Sequence, residues 1–463
     1  MKYVKESNRK ILLPCLFMPL VLFIIITLIQ IVCISCNKDA THEPRISNTI
    51  NLTGANSWHA SSIPVMFPES PLTNDLRTGM NRALLAWNNI DPSVFYDLGS
   101  GLRPANITGD DMSDNDVRVI YQNEIFPEIQ TTNNAAIILN CLNLFYFPSE
   151  RGSWNYDVLP DTYSAGIDPQ GHLNNPSSRW AGISLYLSKD ITLQDTLVFW
   201  MMNPFSKDSS IQGKLLFDLG EISEDVLPDH KLESETSLVG DLGSSVWAHY
   251  GLAGATTQSF SNSNQDIGLD GLDDLAERAY FSSYLNLVGS NCSAETYQQV
   301  VSDPSNDQYY HFTNAIYDTK NAKVIERYKA YNKTEKNTFT SNNEGIATRQ
   351  GDSEDINQDG LLSTSNNYYE YFIDINPQQF QPGRNFITEI RHENNLSIHL
   401  ENGKRLDSWW DCFRIPLSQF SSTVGSPGSQ PARCLRIFLT GFDKPVVLRF
   451  AILEMHLHEY YTY

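Results

Sequence analysis

Apolar residues in this chain come in short, dense bursts separated by polar, turn-rich sequence. DTLVFWMMNPF, KLLFDLGEI, YYEYFIDI, WWDCFRIPL, RCLRIFLTGF and VVLRFAILEM are such bursts. Each has strand length and is rich in aromatic or β-branched side chains, which suit a pleated, half-buried surface. They do not alternate with long helical stretches, so a parallel sheet built from βαβ units is not expected. The pattern predicts a mainly β protein: antiparallel sheets packed as a sandwich or jelly roll, with a few short helices and long loops. In LVFWMMNPF, Val198, Trp200 and Met202 alternate with Phe199 and Met201. Both faces of that strand therefore need cover, which places it centrally, near the bursts at residues 435–439 and 446–453.

Two stretches read as helices. Residues 73–90 put Leu76, Met80, Leu84 and Trp87 on one helical face, and residues 273–288 open with Asp273 and Asp274 at the positive end of a helix. Residues 256–264 and 333–355 are rich in Asn, Ser, Asp and Gly and read as exposed connections.

The beginning of the chain differs in kind. Lys2, Lys5, Arg9 and Lys10 precede an uncharged, largely apolar run from Ile11 to Ser35. Such a run behind positive charges reads as a secretory signal or a membrane anchor. The sequence CISC then puts small Ser35 before Cys36, the order of a bacterial lipobox, with Cys33 and Ile34 as departures from the usual pattern. Residues 1–36 are accordingly expected to be a lipoprotein signal with Cys36 the lipidated residue, and residues 37–50 a polar tether. Residues 51–165 have short apolar runs broken by Pro and Gly and should pack on the sandwich of residues 166–463 without folding alone.

Charge narrows the partners. With 54 acidic and 33 basic residues the chain carries −21, which argues against nucleic acid and against docking on anionic lipid. After the signal, Cys141, Cys292, Cys412 and Cys434 remain, an even number that leaves full pairing and free thiols both open.

Candidate chemistry is sparse. EDINQDGLLS sets Asp355, Asn357 and Asp359 at alternate positions before Gly360, a spacing that can converge oxygens on calcium. The bidentate Glu of a complete calcium loop is missing, since Asn366 stands there, and an Asx-rich turn is the plainer reading. NQDIGLDGLDD collects Asp266, Asp270, Asp273 and Asp274, of which the last two suit a helix start. GxSxG, HExxH, GxGxxG and phosphate-loop signatures are absent. Carboxylate pairs for glycoside chemistry exist only as chance would supply them. Trp409–Trp410 and Tyr309–Tyr310 would suit sugar stacking, but a strand turns one of two adjacent rings inward.

Several segments in order resemble one family. RCLRIFLTGFDKPVVLRFAILEM, FPESPLTNDLRTGMNRALLAWNNIDP, FYFPSERGSWNYD, NPSSRWAGI, LLFDLGEISEDVLPD, QDIGLDGLDD, EDINQDGLLS and GRNFITEIR are similar to the repeated module of SprA/Sov. These are very large outer-membrane translocons of the Bacteroidetes type IX secretion and gliding-motility system. The resemblance implies a non-enzymatic cell-envelope protein, outer-membrane secretion or motility proteins as partners, and no cofactor beyond the calcium that the acidic spacing suits. It implies a short relative of one module and not the pore, because 463 residues cannot supply both a large barrel, at roughly 9–11 residues per spanning strand, and this sandwich. A surface lipoprotein gripping glycan or protein, and a carbohydrate-active enzyme, are the alternatives. In the two last bursts, Arg436 and Arg449 are expected to face loops or partner acids such as Glu224 and Asp225.

Overall fold

The six apolar bursts are all strands. In the computed structural model they join seven others in two antiparallel sheets. The structure describes residues 45–96, 99–129, 137–235, 244–247, 266–337, 351–394, 398–428 and 431–459. The signal, Cys36 and the loop at 256–264 lie outside the described residues.

The first sheet runs in the order Ala83–Asn88 (β3), Leu142–Arg151 (β4), Val446–Glu459 (β13), Thr196–Met202 (β6), Ser408–Pro416 (β10) and Ile387–Glu393 (β9), with Arg45–Asn51 (β1) also paired to β13. The second runs Ser422–Val424 (β11), Asn367–Ile375 (β8), Gly213–Glu221 (β7), Ala432–Thr440 (β12), Trp180–Ile191 (β5) and His59–Ala60 (β2).

Strand β6 shows why the sheets pack as they do. Leu197, Phe199 and Met201 face the core shared with Leu215, Phe217, Ile373 and Ile437 of the other sheet. There Phe199 stacks on Phe413, 4.5 Å between centroids, and meets Phe450 edge-on. On the opposite face Trp200 and Met202 are covered by Ile120, Ile125, Cys141 and Trp410. A strand with large apolar residues on both sides thus sits between β13 and β10 with both sides dry. Trp410 is fully buried, whereas its neighbour Trp409 is 42% exposed and lies flat on His392 at 3.8 Å.

The helix expected over residues 73–90 does not form. Leu76–Gly79 is a single 3₁₀ turn capped by Asp75, and Ala83–Asn88 is a strand paired to β4. All six of those strand residues are buried, so a one-sided helical stripe could not have satisfied them. Gly79 fixes the change of direction: a Cβ there would lie 2.4 Å from the Trp154 carbonyl oxygen. The second expected helix is two, Asp274–Tyr280 and Ser282–Asn291, jointed at Phe281 and capped by Asp273, which accepts from the Ala276 amide.

Arg436 meets an acid and Arg449 meets loop carbonyls, but neither reaches Glu224 or Asp225. Arg436 pairs with Asp218 on the neighbouring β7 at 2.5 Å and lies over the Tyr368 ring. Among the described residues Arg449 forms no ion pair with a carboxylate. It donates to Asn143 Oδ1 at 2.8 Å and to the carbonyls of Asn115 and Arg118 at 2.6 and 2.8 Å. Glu224 and Asp225 instead accept backbone amides, from Asn357 and Ser363 and from Asp229 and His230. Register explains the first contact of each: Asp218 lies opposite Arg436 and Asn143 opposite Arg449. The four cysteines, Cys141, Cys292, Cys412 and Cys434, are free thiols.

A second buried ion pair ties the segment before β4 to the first sheet. Arg118 and Glu124, both fully buried, form two parallel bonds of 2.7 and 2.8 Å. Glu124 also accepts from the Tyr121 amide, Ser408 Oγ and Trp410 Nε1.

Candidate functional site

Acids accumulate in one part of the interior. Three short segments lie side by side there: residues 266–271, the turn at 303–309 after the helix Ala294–Ser302, and residues 334–337. Backbone bonds register them, with the Glu335 amide on Asp307 O, the Tyr309 amide on Glu335 O and the Lys336 amide on Asp266 O. Each segment contributes a carboxylate that points inward, and the helix Asp274–Tyr280 adds Glu277. Asp270, Glu277, Asp307 and Glu335 are all fully buried.

Oxygens of Asp270, Glu277 and Asp307 lie within 4.8 Å of one another. Asp270 accepts from the Leu272 amide and from Ser305 Oγ, and Ser305 Oγ is in turn 2.9 Å from Tyr156 Oη. Glu277 Oε2 accepts from the Ser305 amide. Glu277 Oε1 and Asp307 Oδ1 have no hydrogen-bond partner. Gly268, at φ +89°, allows the approach: a Cβ there would sit 2.6 Å from Asp307 Oδ2.

A second triad, Asp274, Glu277 and Asp303, shares Glu277 and is more exposed. Here lysines supply the countercharge. Lys336 Nζ lies 3.1 Å from Asp274 and 2.7 Å from Glu335, and Lys333 Nζ lies 3.8 Å from Asp303. Among the described residues no Lys, Arg or His forms an ion pair with Asp270, Glu277 or Asp307.

Ionising the inner triad as it stands is costly. At 4.8 Å and an effective dielectric of about 20, two like charges repel by about 3.5 kcal/mol, in addition to the loss of hydration. Burial first, and neighbouring acids such as Asp270 second, push Glu277 up to about 10. Burial likewise pushes Asp270 up to about 8 and Glu335 to about 7, and raises Asp307 well above the usual carboxylate range.

A neighbouring group of acids has a different solution. Glu354 is fully buried, yet its two oxygens accept three backbone amides, from Val226, Leu227 and Glu233, at 2.7 to 3.0 Å. It pins the loop after β7. Thus the ends of the stretch 333–355 are interior and not an exposed connection: Thr334, Glu335, Asn337 and Glu354 are buried. Hydrogen bonding to segments far away in sequence explains that reversal.

The loop singled out by its spacing is arranged otherwise. Asp355 accepts from the Asp359 and Gly360 amides, Asn357 from the Asp359 amide, and Asp359 from the Leu361 amide. Asp355, Asn357 and Asp359 therefore turn their oxygens into their own loop. Of the NQDIGLDGLDD acids, Asp270 enters the inner triad and Asp273 caps a helix. Glu277, Asp307 and Glu335 carried no such signal, because Glu277 sits in the helical stretch DLAERAY and the other two in the polar runs SNDQ and TEK.

No helix among the described residues is long and apolar enough to cross a membrane. A family model, SprA_N, described as motility related/secretion protein, matches residues 283–463. The match begins within the helix Ser282–Asn291 and takes in Asp303, Asp307, Glu335 and strands β8 to β13. No curated protein matches the chain. Over residues 283–463 the chain is thus similar to the SprA_N family of motility related/secretion proteins.

Proposed function

We propose that the protein is a non-enzymatic component of the cell envelope that serves SprA-type secretion and gliding motility and is related to one translocon module. The observation that carries this reading is the family match over residues 283–463, which includes one central strand of each sheet, β13 and β12. A two-sheet sandwich with filled interiors offers surfaces for other envelope proteins and is no pore, so its role is to hold or cap machinery that other chains form. Deleting the gene should reduce the secretion of cargo carrying the C-terminal type IX signal and slow gliding, with both restored by the wild-type chain. Normal secretion and normal gliding in the deletion strain would refute the proposal.

The same reading puts the protein on the outer membrane through a lipid on Cys36. Labelled palmitate should enter the wild-type chain and not Cys36→Ala. Equal labelling of the two would remove the anchor from the proposal and leave the secretion role to the deletion strain.

A further inference from the structure

We propose that Asp270, Glu277 and Asp307 bind a hard divalent cation, of which calcium is the best fit, in the interior of the sandwich-associated lobe. Two observations besides the clustering of acids point to a ligand. Glu277 Oε1 and Asp307 Oδ1 are buried oxygens without a partner, on side chains that are fully buried; native proteins leave few such atoms unsatisfied. In addition, the backbone is shaped around the cluster, since Gly268 adopts a φ that favours glycine and has space for no Cβ beside Asp307.

The contrast between the two triads supports the assignment. Around the outer triad the chain supplies lysines, Lys336 at Asp274 and Glu335 and Lys333 at Asp303. The inner triad receives none, although it is the more buried. All candidate donors are oxygens: three carboxylates with Ser305 Oγ and Thr334 Oγ1 beside them, 2.7 Å from Asp270 and 3.4 Å from Asp307. Histidine and cysteine are absent from the cluster, which disfavours zinc and copper. An irregular set of oxygens from three segments suits calcium, whose shell is flexible, better than magnesium, which demands an octahedron and holds its waters. The shared carboxylate of Glu277 connects the inner site to the half-buried Asp274 and Asp303. This site is separate from the loop of Asp355, Asn357 and Asp359, whose oxygens are engaged by backbone amides.

The experiment uses the full chain after removal of bound metal by chelator. Calcium should raise the melting temperature progressively with concentration, because an ion bound only to the native state stabilises it, and magnesium should do less. Asp307→Asn should weaken calcium binding by about 10-fold or more, the loss that even an outer partner's removal can bring. In chelator the same variant should melt above the wild type, since an uncharged amide replaces a carboxyl group whose ionisation in that interior is costly. Asp359→Ala should retain the calcium response. Binding of calcium to the wild-type chain by equilibrium dialysis gives a readout that does not depend on the variants folding. Absence of calcium binding by dialysis, an Asp307→Asn variant that binds as the wild type does, or loss of binding in Asp359→Ala would each overturn the proposal.

Discussion

Residues 166–463 expressed alone aggregate or melt without a cooperative transition. The fragment lacks β3 and β4, and with β4 goes the partner of β13 from Val446 to Phe450. Leu85, Trp87, Leu142, Leu144 and Tyr146 leave the main core with them. At about 1.5–3 kcal/mol for each large side chain, these five residues match the whole stability of about 5–15 kcal/mol of an ordinary domain. The loss also bares an edge of β13 with Leu448 and Phe450 beside it, a template for pairing with other chains. Light scattering and a thermal melt test the point. A monomeric fragment that unfolds as cooperatively as the whole body would show that residues 51–165 are dispensable for the sandwich.

The second large effect belongs to Glu124. Glu124→Ala should cost about 3–5 kcal/mol, because it leaves the Arg118 guanidinium buried and unpaired. It also strips Ser408 and Trp410 of an acceptor, so the outer cover of β6 loosens together with the ion pair. Replacing both partners, as Arg118→Met with Glu124→Met, should cost less than Glu124→Ala alone, since no charge is left without its counterion. Urea unfolding of the three chains decides it; a loss below about 1 kcal/mol in Glu124→Ala, the scale of an exposed pair, would mean that water reaches Arg118.

How far the sequence foretold this depends on how local each cause is. LVFWMMNPF, YYEYFIDI and RCLRIFLTGF declare themselves as strands because their side chains alone demand two covered faces or one. ALLAWN does not, for Leu76, Met80, Leu84 and Trp87 happen to fall at helical spacing, and only the pairing of β3 with β4 decides between the two periods. Trp180–Ile191 (β5) was equally hard to see, with three exposed polar residues at its end. Arginine partners followed the same rule. Asp218 lies opposite Arg436 in register, information that exists only once β7 and β12 are neighbours.

The acidic interior was half legible. Asp270 stands in a run whose alternating Gly and Asp attract notice, and the capping role of Asp273 follows from its place before DLAERAY. Asp307 and Glu335 stand in SNDQ and TEK, which read as solvated turns. They are buried because three separated segments converge, and burial of a charge is the last thing that polar sequence suggests.

The strand order has a consequence for how the chain can fold. In each sheet the strand that comes latest in sequence lies in the interior of the sheet: β13 between β4 and β6, and β12 between β7 and β5. As the chain emerges from a ribosome or a membrane pore with its N-terminus leading, β4 and β6 have no bridge between them, and β5 and β7 none either. Folding therefore waits until almost everything is out, and then closes through contacts between residues hundreds of positions apart, as Arg449 with Asn143. Such closure is slow, and until then the apolar bursts stand open to one another and to other chains. A chain built this way stays threadable until β12 and β13 have emerged.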